Sequence, residues 1–285
     1  MRYDDSMNKV DLFNETMTHC SSNVSLIKAI ENSKLKQELF LGQESYIDAE
    51  TRRYEDKARI VVSKKRTIEA ASAYRNHKVC VLNFASATTP GGGVLIGSNG
   101  QEESLCRIST LYPCLISKSL KDEFYLSHIE NLDNIHNDDI IYTPNVVAFR
   151  YDGADYRILV ESEWTIIDVI SCAAPNFRKA KEYIGGCCAI KKYREVDDDI
   201  LIKIFEQRIR HIFEIAKNKR EEVLVLGAFG CGAFRNPPYV VATAFKNIVD
   251  CYIYDFKVIE FAIFSREKVD EKFEIFRNVF CVNGV

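Results

Sequence analysis

Apolar positions along this chain fall into two recurring patterns, short continuous runs of strand length and longer stretches with helical spacing, and the two alternate. Lys78-Val79-Cys80-Val81-Leu82-Asn83-Phe84-Ala85 predicts a strand. From Ser104 to Leu115 the apolar residues Leu105, Ile108, Leu111, Tyr112 and Leu115 recur at helical spacing. A polar stretch, Ser117 to Asp139, then leads to two short strands, 139–144 and 146–150, around a turn at Pro144. Asp152, Gly153 and Asp155 form a turn, and Thr165 to Ala174 is a β-rich run that stops at Pro175-Asn176. The clearest amphipathic helix runs from Lys191 to Lys219, with Ile202, Phe205, Ile209, Ile212, Phe213 and Ala216 on one side. Glu222 to Leu226 predicts a further strand. Asn236 reads as the N-cap, and Pro237 as the first residue, of a helix covering Tyr239 to Asp250. Val258 to Phe264 is the last strand, and residues 267–280 form a closing helix. Upstream, residues 1–78 are charged and largely helical in pattern, best over Thr16–Glu31 and Thr67–Arg75, with a loop from Gly42 to Arg53.

Strands alternating with helices imply an α/β layered sheet, whose ligands sit beyond the carboxyl ends of the strands. Residues 1–285 read as one domain: a helical elaboration over 1–78, covering one face of the sheet, and a core over 79–285. At 285 residues and 47% hydrophobic content the chain can bury a real core. The net charge of -3 argues against broad electrostatic binding to DNA or RNA. Of the ten cysteines, Cys80, Cys106, Cys172 and Cys251 lie within apolar runs and read as reduced core residues. Cys187-Cys188 lacks the spacer of a zinc knuckle, and the five histidines show no ligand spacing, so neither metal nor cofactor is expected. The polar amino terminus, Met1 to Asp5, and the lack of any run long enough to cross a bilayer point to a soluble intracellular protein, cytoplasmic, or nuclear if eukaryotic, without membrane contact.

The candidate chemistry lies between the first core strand and its helix. Thr89-Pro90-Gly91-Gly92-Gly93 opens a loop that ends in Gln101-Glu102-Glu103. Three glycines leave no side chain between backbone and ligand and accept positive φ angles, so such a loop can close around a sugar or phosphate. Ser98 with Gln101, or Asn99 with Glu102, has capping-box spacing, which places both glutamates in a first helical turn with free N–H groups. A second strand–glycine-loop–helix unit carries Gly227-Ala228-Phe229-Gly230-Cys231-Gly232-Ala233-Phe234, so both loops are expected on one rim. Its glycines at 227, 230 and 232 do not fit the dinucleotide fingerprint, which disfavours a hydride-transfer enzyme.

Asn83-Phe84-Ala85-Ser86-Ala87-Thr88-Thr89-Pro90-Gly91-Gly92-Gly93, a seven-residue spacer and Gln101-Glu102-Glu103 resemble the signature of poly(ADP-ribose) glycohydrolases, most closely the compact microbial type. Ile141 to Arg150, Ala173-Ala174-Pro175-Asn176 and Gly227 to Phe234 look like the same family, and the likeness covers residues 80–265. The resemblance implies a macrodomain-like mixed sheet flanked by helices, with an amino-terminal helical extension. It also implies metal-independent hydrolysis of ribose–ribose O-glycosidic bonds in poly(ADP-ribose), acting mainly from polymer ends, with ADP-ribose as product and the polymer or ADP-ribosylated proteins as substrate. By that analogy Glu103 is the acid/base, Glu102 holds the ribose under attack and Asn83 orients it. Gly91, Gly92, Gly93 and Gln101 belong to the substrate site, while Gly230, Cys231, Gly232 and Ala233 wrap the diphosphate and Phe234 packs on the ligand. Asn176 reads as a turn residue. Neighbouring helical residues point about 100° apart, so the two acids cannot face each other across a sugar, and one must transfer the proton both ways. Two alternatives share the pocket: a non-catalytic ADP-ribose-binding module, and a hydrolase of protein-linked mono-ADP-ribose or another ADP-ribose derivative.

Overall fold

The computed structural model describes residues 8–42, 52–178 except 132 and 154, and 193–281 except 266 and 268. The expectations for Met1 to Asp5, most of the Gly42–Arg53 loop, Cys187-Cys188 and the start of the helix at Lys191 lie outside the described residues.

Two helices come first, α1 (Lys9–Ser22) and α2 (Val24–Leu35), then strands β1 (Glu38–Phe40) and β2 (Arg59–Ser63), helix α3 (Thr67–Ser72) and strand β3 (Val79–Phe84). Helices α4 (Gln101–Ile108), α5 (Leu111–Leu115) and α6 (Lys118–Leu120) follow, then a π-helical turn at Lys121–Tyr125 and α7 (Leu126–Asn131). Strands β4 (Ile140–Ala148) and β5 (Thr165–Cys172), helix α8 (Asp198–Asn218), β6 (Val223–Leu226), α9 (Pro238–Cys251), β7 (Val258–Ala262) and α10 (Glu271–Cys281) complete the order.

The strands form one mixed sheet in the order β1-β4-β5-β3-β6-β7-β2. β4 is antiparallel to both β1 and β5, whereas β5, β3, β6, β7 and β2 pair in parallel. The carboxyl ends of those five strands therefore share one rim. Alternation along β3 and β6 divides the core: Leu82 and Leu224 face α8, α9 and α10, and Val81 and Val225 face α1, α3, α4 and α5. Both edge strands come from the first 78 residues, so that segment is more than the helical layer its charge pattern suggested.

Local chemistry explains where the elements differ from the sequence pattern. The helix expected over Thr16–Glu31 is two helices, because the Asn23 side chain accepts from the Ser25 and Leu26 N–H groups and caps α2. The helix expected over Ser104–Leu115 breaks at Ser109, whose backbone is extended, and Thr110 then exchanges hydrogen bonds with Val147 of β4. The polar stretch after Leu115 is helical because Leu120, Phe124 and Tyr125 bury their side chains. The two short strands around Pro144 are one strand. Its register against β5 passes from Thr143↔Val169 to Val146↔Ile167, so Pro144 and Asn145 together oppose Asp168 in a β-bulge. Asn145 takes φ 56°, and its N–H donates to Asp168 Oδ1 at 2.8 Å.

Asp197 caps α8 by accepting from the Ile200 N–H at 2.8 Å, with Asp198 and Asp199 in the first turn. Arg208 is fully buried on this helix. Its guanidinium donates to Asp138 Oδ1 at 2.8 Å, the Ala173 carbonyl at 2.8 Å and the Ile135 carbonyl at 3.1 Å, fixing the segment that leaves β5 at the rim. The helix after the second glycine loop begins at Pro238, with Pro237 rather than Asn236 as its N-cap.

Candidate active site

β3 is the middle strand, paired with β5 and β6, and the chain leaving it builds the first glycine loop. Asn83, near the end of β3, is opposite Ser171 of β5 and fully buried. Its amide donates to Ser171 Oγ at 3.0 Å and to Glu102 Oε1 at 3.3 Å, while its own Oδ1 has no partner. The Ser86 N–H donates to Glu102 Oε2 at 2.8 Å. Glu102 is thus drawn inward beneath the strand end and is 3% exposed.

Glu103 also meets the glycine loop. It is partly buried, and its Oε1 accepts the Gly93 N–H at 2.8 Å. Both carboxyls reach the glycine loop, Glu103 Oε1 at the Gly93 N–H and Glu102 Oε2 close to Gly92, so the divergence expected of adjacent helical residues does not separate them. Four glycines of the loop have a steric reason. Gly91 (φ 70°) packs over the Tyr112 ring, where an added Cβ would lie 2.7 Å from Cδ2. Gly92 (φ 58°) leaves room for the carboxylates, since a Cβ would lie 2.6 Å from Glu103 Oε1 and 3.2 Å from Glu102 Oε2. A Cβ on Gly93 or Gly100 would collide with Ser98 Oγ or Glu103 Oε2, respectively.

Both glutamates do occupy the first turn of α4, but neither capping box forms. Gly100 is the N-cap. The Ser98 carbonyl accepts from Arg107 at 2.7 Å, and the Asn99 side chain accepts from Lys9 of α1. Gln101 turns its amide into the fold, accepting the Phe84 N–H at 2.9 Å and donating to the Leu82 carbonyl at 2.9 Å and Thr67 Oγ1 at 3.2 Å. It ties the start of α4 to the end of β3.

Burial pushes the Glu102 carboxyl up to about 8, and the negative charge of Glu103 adds to the rise. The N–H groups of Ser86 and Gly91 and the Asn83 amide oppose it without cancelling it. A buried carboxyl with a raised pKa beside a second carboxyl suits a site for acid/base work.

The second loop leaves β6 beside β3, so both glycine loops share the rim. Phe229 is buried against Phe84, with ring centroids 5.6 Å apart, and against Phe205. Gly230 (φ 73°) sits where a Cβ would lie 2.6 Å from both Ala174 Cβ and Asn236 Nδ2. Asn236 braces the loop, donating to the Pro175 carbonyl at 2.7 Å and the Gly230 carbonyl at 3.0 Å. Gly232 and Ala233 are exposed, and nothing lies within 4 Å of a Cβ at Gly232. Cys231 and Phe234 pack partly against the core, and the Phe234 carbonyl accepts the Phe177 N–H at 2.9 Å. Burial pushes the Cys231 thiol up to about 12, which makes it a poor nucleophile. Asn176 accepts the Arg178 N–H at 3.1 Å, a turn contact.

Sequence reading did not single out Ser86, Ser171 or Tyr112. Ser86 acts through its backbone, which no side-chain pattern reveals. Tyr112 was absorbed into an apolar stripe, although its ring is the floor under Gly91 and itself packs edge-on against Phe13 of α1 at 4.8 Å. Among the described residues no three His, Cys, Asp or Glu side chains are grouped to hold a metal ion, and no helix is long and apolar enough to cross a membrane.

The sequence profile of the microbial-type PARG catalytic domain matches residues 6–151, just over half of the chain. No protein of curated function matches. Among solved structures, poly(ADP-ribose) glycohydrolase from Thermomonospora curvata superposes with a TM-score of 0.79 at 25% identity, covering 95% of this chain and 99% of that one. The same enzyme bound to the inhibitor ADP-HPD gives 0.77 at 26% identity over the same shares. The glycohydrolase from Deinococcus radiodurans in complex with ADP-ribose gives 0.74 at 26% identity, covering 90% of this chain and 98% of that one.

Proposed function

This chain belongs to the microbial-type poly(ADP-ribose) glycohydrolase family, and on that premise we propose the part each residue takes in releasing ADP-ribose from poly(ADP-ribose). Neutral Glu103 protonates the leaving ribose oxygen as the glycosidic bond breaks and an oxocarbenium-like sugar forms. The Glu103 carboxylate then takes a proton from the incoming water. Glu102, fixed from behind by Ser86 and Asn83, accepts hydroxyls of the ribose under attack. Gly91, Gly92 and Gly93 let the sugar approach the backbone. Gly230, Cys231, Gly232 and Ala233 enclose the diphosphate through their backbone, and Phe234 lends its exposed edge to the ligand. Gln101 ties the start of α4 to β3 and so positions the pair at the substrate site. The polymer is the substrate whether free or attached to protein, and no direct DNA contact is involved.

In the unliganded protein burial favours the neutral form of Glu102. Ribose hydroxyls donating to Glu102 favour its ionised form, so substrate binding offsets part of the effect of burial.

The observation that carries this reading is the seating of the two carboxyls, Glu102 buried and held by the Ser86 N–H, Glu103 held by the Gly93 N–H of the glycine loop. A binding module needs no acid at the second position. Purified protein incubated with poly(ADP-ribose) in EDTA is expected to release free ADP-ribose. Binding of ADP-ribose without release would favour the binding module, and release only from mono-ADP-ribosylated protein would favour the alternative hydrolase.

Asn236→Ala tests the second loop. Loss of its bonds to Pro175 and Gly230 is expected to weaken ADP-ribose binding about tenfold, the equivalent of roughly 1.4 kcal/mol, with a smaller change in kcat. Calorimetric titration with ADP-ribose checks it, and unchanged affinity would remove the loop from the binding site.

A further inference from the structure

The 3₁₀ turn Val94–Ile96 follows Gly93 directly and carries two apolar side chains outward: Leu95 and Ile96 are each 58% exposed, whereas Val94 is fully buried. Isolated exposed leucines are ordinary. These two are adjacent, and their turn is held firmly. The Ile96 and Ser98 N–H groups both donate to the Gly93 carbonyl at 3.1 Å, and Arg107 of α4 donates to the Ser98 carbonyl at 2.7 Å. Helix α1 packs against the end of the turn, since a Cβ on Gly97 would lie 3.5 Å from Val10 Cγ2 and 3.6 Å from Lys9 Cβ.

The turn adjoins the proposed acid/base. Gly93 holds Glu103 Oε1 with its N–H at 2.8 Å and Ile96 with its carbonyl, so one residue joins the carboxyl to the apolar pair. Lys9 brings a cation to the same place. Its ammonium donates to the Asn99 side chain, and among the described residues it is paired with no carboxylate. It also opens α1, the end of a helix where a cation is locally unfavourable.

The chemistry of the polymer says what such a surface meets. The bond that breaks joins the ribose of the released unit to a hydroxyl on the adenosine ribose of the unit left behind, and adenine is attached to the adjoining carbon of that second ribose. The oxygen that receives the proton from Glu103 therefore brings with it an adenine base and, further out, a diphosphate. Resting on the glycohydrolase reading, we propose that Leu95, Ile96 and Lys9 form the subsite for the leaving unit: its adenine lies on the two aliphatic side chains, and its diphosphate pairs with the Lys9 ammonium.

A preorganised turn loses little freedom when a base settles on it. The released ADP-ribose is held by other residues, so this subsite contributes to capture and orientation of the polymer and not to retention of the product. It also favours the polymer over a mono-ADP-ribosylated protein, whose leaving group carries no base.

Leu95→Ser combined with Ile96→Ser removes the apolar surface and leaves Val94, Gly93 and the glutamates in place. Turnover is compared on two substrates with the same ADP-ribose: the two-unit oligomer, and the trifluoroethyl glycoside of ADP-ribose, whose leaving oxygen is about as acidic as a ribose hydroxyl but carries no base. In the double variant kcat/KM is expected to fall about tenfold on the oligomer, the loss of roughly one base contact, and to change less than about twofold on the glycoside. Lys9→Ala is expected to lower kcat/KM on the oligomer and to flatten its dependence on salt.

Binding reads the subsite without turnover. In a Glu103→Gln background the double substitution is expected to weaken calorimetric binding of the oligomer and leave that of ADP-ribose unchanged. If wild type cleaves neither substrate, the glycohydrolase reading fails while this titration still decides the subsite. Equal falls on both substrates would overturn the proposal and assign the turn to the seating of Glu103, and unchanged turnover and affinity for the oligomer would overturn it as well. A wild-type dimer that the double variant dissolves, with oligomer turnover intact, would reassign the pair to a contact between copies.

Discussion

Glu103→Gln is expected to lower release of ADP-ribose from poly(ADP-ribose) by about 10³-fold, within the range of a lost general acid/base, while ADP-ribose affinity stays within severalfold of wild type. Glutamine keeps the size of the side chain and an oxygen that can accept the Gly93 N–H, so the loop has no reason to move. It cannot give a proton to the leaving ribose or take one from water, so both halves of the reaction fail together. Glu102→Gln behaves differently. It keeps the acid but weakens the anchor, because a neutral amide accepts ribose hydroxyls less strongly than a carboxylate, and the Ser86 N–H and Asn83 amide surround it with donors. Its effect should include substrate affinity as well as kcat. Single-turnover assays with parallel binding titrations separate the two. Activity that persists in Glu103→Gln but vanishes in Glu102→Gln would exchange the two roles.

Much of this site was legible because it is local. Three glycines followed by Gln-Glu-Glu at fixed spacing specify strand, loop and helix start together. What escaped was the part made by distant chain. The capping box failed because Gln101 found better partners in Phe84 and Leu82 of β3 and in Thr67. Asn236 looked like a helix cap but is drawn to the Pro175 and Gly230 carbonyls across the rim. In both cases a side chain with a plausible local bond takes a non-local one. The edge strands were missed for a related reason: β1 is three residues long and β2 is only partly covered, so neither has the apolar run that marks β3 or β6. The bulge in β4 depends on Asp168 of another strand.

Gly92→Ala should cost about 10²-fold in kcat, far more than its effect on stability implies. The backbone at Gly92 is left-handed, with φ 58°, and a side chain there is unfavourable by roughly 1–2 kcal/mol. That alone lowers the melting temperature by a few degrees. The larger consequence is steric. The new methyl would stand 2.6 Å from Glu103 Oε1, so the carboxyl must leave the Gly93 N–H, and a displacement of about 1 Å at a reacting group can cost 10²-fold in rate. Gly97 separates the two effects. It has φ 75° and the same left-handed penalty, but a Cβ there would lie 3.5 Å from Val10 Cγ2, in ordinary contact and away from the carboxylates. Gly97→Ala should therefore lose similar stability and keep kcat within severalfold of wild type. Thermal melts and polymer turnover on the two variants decide the matter. Equal losses of activity would mean that the loop's backbone conformation governs catalysis, whereas a loss confined to Gly92→Ala would locate the requirement at the seat of the Glu103 carboxyl.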